Sequence, residues 1–180
     1  MVDTPMTMRD GSMATMVVAG REIQGVPACP PVSSERNADT GGKRDRWVEI
    51  ELYLLDDGSW LAHRVGKSVI YHRADTGCIT ATGRQRGEPA SVEDLPDEAE
   101  PCEYCQPPRP RALPDGPGTI RYEFPRHTWD QCPNPRALRD RLTRARSRDG
   151  SVSYFMSDLV AGLLRNAAAI HPEFEELLAA

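Results

Sequence analysis

Four residues constrain this chain more than any others: His72, Cys78, and the pair Cys102 and Cys105 in Pro101-Cys102-Glu103-Tyr104-Cys105-Gln106-Pro107. Zinc takes thiolate sulfur and imidazole nitrogen in a tetrahedral shell, and a Cys-x2-Cys knuckle supplies two ligands from one tight turn. His72 and Cys78 are the nearest suppliers of the other two. A shell closed by four protein ligands is of the structural type, with no open position for a reacting water. The expectation is therefore a zinc ion that holds a fold together. His127 and Cys132, on the far side of the knuckle, are the rival third and fourth ligands.

The strand-like run Val65 to Tyr71, followed by His72-Arg73, Cys78 and the proline-flanked knuckle, resembles the zinc module of the Ada family, bacterial proteins that repair methylated DNA phosphotriesters. The resemblance covers residues 47–107. It departs from the family pattern in two places, because the first ligand is histidine and the His72 to Cys78 gap is two residues longer. The family's methyl-accepting cysteine is replaced by His72, so the resemblance implies zinc binding without methyl transfer. It also places the strand and loop around the metal near a DNA backbone, which makes Arg64, Lys67, Arg73, Arg84 and Arg86 the candidate phosphate contacts.

The flanking text sets the domain plan. Residues 1–44 carry Pro5, Pro27, Pro30, Pro31, Gly41 and Gly42 without apolar periodicity, and are expected to form an unordered tail. Trp47 to Leu54 and Trp60 to Val65 are rich in β-formers and flank Asp56-Asp57-Gly58-Ser59, which reads as a hairpin. Val69-Ile70-Tyr71 continues it as a third strand, completing a module over 45–107. A meander of this size buries one modest face, so metal binding would supply folding free energy that the core does not. Prolines 107, 108, 110, 114 and 117 mark a stiff linker over 108–118.

Beyond it, Ile120, Tyr122 and Phe124 alternate as a strand within a C-terminal unit, 119–180. Asn134-Pro135 is a helix start with Asn as cap and Pro at the first helical position. A second helix is expected from about Ser153, where Phe155, Met156, Leu159, Val160, Leu163, Leu164 and Ala167 follow helical spacing. Glu173 to Leu178 reads as a last short helix. The fold class is α+β: a small zinc-stapled antiparallel β-meander followed by a helical C-terminal unit.

Charge qualifies the choice of partner. The net charge of −5 argues against a surface that grips nucleic acid all over. Basic residues are nevertheless concentrated, with six arginines and one acid between 136 and 148, while 88–103 holds seven acids and no cation. Most such runs are solvated surface. Arginine dominance over lysine fits a GC-rich bacterial, phage or mobile-element genome.

No nucleophile elbow, phosphate loop or metalloprotease helix occurs, so no catalytic residue is assigned and the chain is read as a non-enzyme. Five cysteines, without a basic and apolar leader or a membrane-length apolar run, fit a reducing cytoplasm and metal ligation better than disulfides. The expected role is a zinc-binding accessory or regulatory protein acting on a protein partner, with nucleic-acid binding through the basic face as the alternative.

Overall fold

The computed structural model describes residues 14–34, 46–73, 88–90, 95–102, 120–122, 125–146 and 149–178. In chain order its first elements are β1 (Ala14–Val18), β2 (Arg21–Pro27), β3 (Val32–Ser33), β4 (Arg46–Leu55), β5 (Trp60–Ser68) and β6 (Ile70–Arg73). Then come β7 (Glu88–Ala90), β8 (Glu100–Pro101), β9 (Ile120–Tyr122) and β10 (Arg126–Cys132). The chain ends with α1 (Pro135–Thr143), β11 (Arg144–Arg146), β12 (Val152–Tyr154), α2 (Asp158–Ala168) and a 3-10 helix, Pro172–Leu177. The architecture is α+β, β-rich and largely antiparallel, with few helices.

Two compact units divide the chain. Unit one comprises residues 1–34, 49–65 and 127–180, and unit two comprises 35–48 and 66–126. The expected boundary near 108–118 is not where the units part, and that linker lies outside the described residues. The hairpin residues 49–65 share a unit with the C-terminal helices, because β5 supplies part of the helices' core. Trp60 is 3 % exposed and meets His171 and Phe174 edge-on at 5.0 and 4.7 Å.

The sheet of unit one has the order β1-β2-β4-β5-β10, with β3 paired to β4. β1 and β2 form an antiparallel hairpin whose two turn residues, Ala19 and Gly20, have φ of 47° and 77°. Such a primed two-residue turn matches the twist of the strands it joins. Residues 14–33, expected to be unordered, thus hold three strands. Ile23 on β2 is buried with Tyr53, Leu55 and Leu61. Ala28 donates to Leu52 O and accepts from His171 Nε2, while Pro30 O accepts from Asn166 Nδ2. Pro27, Pro30 and Pro31, which suggested a tail, lie where the segment leaves the sheet and meets the helices.

Strand alternation sorts the sheet's two faces. Tyr53, Leu55 and Leu61 form one cluster with Ile23, flanked by Met16, Val18 and Trp129, while Trp60 points to the helices. Asn134 caps α1 by accepting from Ala137 N, and Ser157 caps α2 by accepting from Val160 N. α2 buries Val160, Leu163, Leu164 and Ala167, the stripe expected from the sequence. Its start is five residues later than the expected Ser153, since Val152–Tyr154 pairs with Arg144–Arg146 as an antiparallel ribbon. Gly150, at φ 85°, and Asp149, whose carboxylate accepts from Ser151 N, lie between those strands.

Unit two holds the order β7-β9-β6-β8. β6 does not extend the β4–β5 hairpin as a meander. Ser68 Oγ accepts from Ile70 N at 3.1 Å, breaking the run, and β6 instead runs antiparallel to β9 and parallel to β8. Tyr71, Ile120 and Tyr122 pack with Leu95 and Ala99, and Val69, Ile70 and Cys102 pack with Trp47.

Candidate functional site

The β4–β5 turn sets the register of the first site. Leu55 N donates to Ser59 O at 2.9 Å, closing the turn, and four residues outward on each strand stand Glu51 and His63. Gln131 on β10 donates through Nε2 to Ser59 Oγ at 2.9 Å, and four residues outward from that pair stand His63 and His127. Glu51, His63 and His127 therefore form one rung across three neighbouring strands. Their side chains complete it, with His63 Nδ1 2.9 Å from Glu51 Oε2 and His63 Nε2 2.9 Å from His127 Nδ1.

His63 is 2 % exposed and sits under Trp129, the rings stacked at 3.9 Å and 12°. The Arg21 guanidinium lies 5.0 Å from the centre of the Trp129 ring. Arg21 is on β2 and Trp129 on β10, so a curled sheet lets these long side chains span three strand spacings, about 14 Å if flat. Tyr53 OH donates to the same Glu51 oxygen at 2.9 Å. Burial, followed by that hydrogen bond and the Glu51 charge, pushes the phenol pKa upward, so Tyr53 remains a donor.

Proton placement follows for an ionised Glu51 and two neutral imidazoles. An ionised Glu51 only accepts, so His63 Nδ1 carries a proton. A neutral His63 then accepts at Nε2, which requires the proton of His127 to be on Nδ1. The remaining nitrogen, His127 Nε2, keeps its lone pair, and His127 is an exposed residue. In the sequence His127 stands only as a rival metal ligand with Cys132. The structure instead commits His127 Nδ1 to His63, and Cys132 is a buried free thiol.

The second site is the expected metal shell. Tyr71 pairs with Pro101 in the parallel β6–β8 ladder, and Cys102 N donates to Tyr71 O at 2.9 Å. Carrying the register on by one residue sets His72 beside Cys102. They are 1 % and 2 % exposed, and Cys102 packs with Ile70 on the strand face that His72 shares by alternation. Cys78 and Cys105 lie outside the described residues, and no group of three or more metal-binding side chains occurs among the described ones.

Two of the cations expected to meet phosphate, Arg64 and Lys67, do not share one strand face. They are three residues apart on β5 and alternate to opposite sides. Arg64 Nε is buried without a hydrogen-bond partner. Arg73 ends β6, while Arg84 and Arg86 lie outside the described residues. Of the arginines after 135, Arg141 pairs with Asp130. No helix among the described residues is long and apolar enough to cross a membrane. No family model, curated protein or solved structure matches the chain.

Proposed function

We propose that this protein is a zinc-stabilised accessory or regulatory protein, with an Ada-like module over residues 45–107 whose metal ligands fall in unit two, and a protein-binding surface in unit one. The β6–β8 pairing carries the metal half of this reading, because it sets His72 beside Cys102 in a buried place. A buried imidazole next to a buried thiol suits a borderline-soft cation such as zinc. In this reading Cys78 and Cys105 supply the other two ligands and the shell is closed and structural. His72 takes the position of the family's methyl acceptor, so the module binds and does not transfer methyl groups.

The interaction half rests on the β11–β12 ribbon. Val152 and Tyr154 on the ribbon and Phe155 just past it are 39, 64 and 70 % exposed, three apolar side chains close together in sequence. Neighbouring exposed side chains of this size mark protein-binding surfaces more often than scattered single ones do.

Metal analysis of protein purified without chelator tests the first half, with about one zinc per chain expected for a closed four-ligand shell. Cys102→Ser should lose most of it, and zinc-free wild-type protein would end the proposal. Titration with duplex DNA at low and high salt separates the two partner classes. A steep salt-dependent affinity would move the assignment to nucleic acid.

A further inference from the structure

We infer that His127 is a nucleophilic, acyl-accepting residue, made so by a proton relay through His63 to Glu51. The inference stands in unit one and is independent of the zinc reading. It requires a free nitrogen, a path for the displaced proton and a carboxylate to hold the resulting charge. Each is present in the rung. His127 Nδ1 and His63 Nε2 are 2.9 Å apart, and His63 Nδ1 and Glu51 Oε2 are also 2.9 Å apart. His63, 2 % exposed, has both nitrogens engaged and is held flat beneath Trp129. His127 is an exposed residue, and Nε2 is the nitrogen it does not use within the rung.

The order carboxylate, buried imidazole, exposed acceptor is the general layout of an activated nucleophile with its base and the group that orients the base. Here the acceptor position is held by a second imidazole. In the step proposed, His127 Nε2 attacks the carbonyl carbon of an activated acyl compound such as an anhydride or aryl ester. The carbon–oxygen bond to the leaving group breaks, and its electron pair departs with that oxygen as an anion. The His127 Nδ1 proton passes to His63 Nε2, and Glu51 holds the imidazolium so formed. Water then cleaves the nitrogen–acyl bond, giving a carboxylic acid and returning one proton to the His127 imidazole, and the proton held by His63 leaves to the departing oxyanion or to solvent.

A neutral acyl donor is favoured over a phosphoryl donor by the charge of the rung. With both imidazoles neutral, Glu51 makes the row negative, which repels a phosphate group. The Arg21 guanidinium is placed over the Trp129 ring, 5.0 Å from its centre. Glu51 and His63 are positioning residues in this scheme, and His127 alone bonds to the acyl group.

The test uses diethyl pyrocarbonate on the full chain, with modified histidines assigned by peptide mass spectrometry. His171 serves as the internal reference, since its Nε2 is 3.0 Å from Ala28 O. Glu51→Gln keeps the shape of the rung and removes the charge, and should slow acylation of His127 by about tenfold while leaving His171 unchanged. An unchanged His127 rate overturns the relay. Because a variant can loosen the fold, the wild-type tautomer is read separately by nitrogen-15 NMR of the imidazoles. His127 protonated on Nδ1 is the expected state, and protonation on Nε2 at neutral pH overturns the inference whatever the variant does.

Discussion

Glu51 and His63 face each other at 2.9 Å across the β4–β5 hairpin, and the same His63 ring is held by His127 at 2.9 Å on its other side. A buried imidazole with both nitrogens satisfied stabilises the sheet, and its removal strips two partners at once. His63→Ala should cost about 2–3 kcal/mol, combining lost hydrogen bonds with the space left beneath Trp129. Glu51→Gln should cost less than about 1 kcal/mol, since the Glu51 side chain is 40 % exposed and water replaces part of what it loses. Urea unfolding of the two variants checks the ranking, and equal losses would contradict it.

The hairpin was legible because its turn, Asp56 to Ser59, is local in sequence and is closed by bonds among its own residues. Asp57 Oδ1 accepts from Ser59 N at 2.8 Å and from Ser59 Oγ at 2.5 Å. Counting outward from that turn would have set Glu51 opposite His63. The third member was hidden, because β10 reaches β5 from 64 positions away in sequence, and no local pattern announces a pairing of that range. His127-Thr128-Trp129, with its β-branched and aromatic residues, was the available sign of a strand. The ordered residues 14–33 were missed for a related reason. Their partners are β4 and the C-terminal helices, and proline content spoke more loudly than the alternation of Met16, Val18 and Ile23. The helix caps at Asn134 and Asp158's neighbour Ser157 are local devices; only the first was read.

Phe174, fully buried and edge-on to Trp60 at 4.7 Å, joins the 3-10 helix to the sheet. Phe174→Ala should destabilise unit one by about 3–5 kcal/mol, the range for removing a buried aromatic ring. Leu178→Ala, a few residues on and 43 % exposed, should cost under about 0.5 kcal/mol. Thermal melts of the pair decide whether the C-terminus is core or appendage, and a mild Phe174 phenotype would make it an appendage.

Two glycines separate close approach from open space. A Cβ on Gly25 would lie 2.5 Å from Leu54 O and 3.2 Å from Leu55 Cα, both backbone atoms of the paired strand. Gly25→Ala should therefore cost about 1–3 kcal/mol by forcing β2 and β4 apart. Gly66 has nothing within 4 Å of such a Cβ, and Gly66→Ala should be neutral or stabilise by up to about 1 kcal/mol through the unfolded chain. Midpoints of chemical denaturation for the two variants should move in opposite directions or differ plainly in size.

Cys29, 8 % exposed with Sγ 4.0 Å from Leu163 O, has its thiol pushed up by burial from 9.0 to about 11. At pH 8 its thiolate fraction is lower by about a hundredfold than that of an ordinary cysteine, and alkylation of the native protein should be slow in proportion. Cys132 is shifted upward as well, by burial first and Asp130 second. The folded state holds these protons more tightly than the unfolded chain does. The stability this provides is complete below the unfolded value of 9.0 and, for Cys29, is lost as pH rises through about 11. Tyr53 adds a loss of the same sign above its ordinary value of 10.0, as burial and Glu51 raise its pKa. Cys29→Ala should accordingly flatten the decline between pH 9 and 11 without abolishing it. Urea midpoints at pH 8 and pH 10.5 measure this, and profiles of variant and wild type that fall in parallel would show that Cys29 ionises as freely in the fold as outside it.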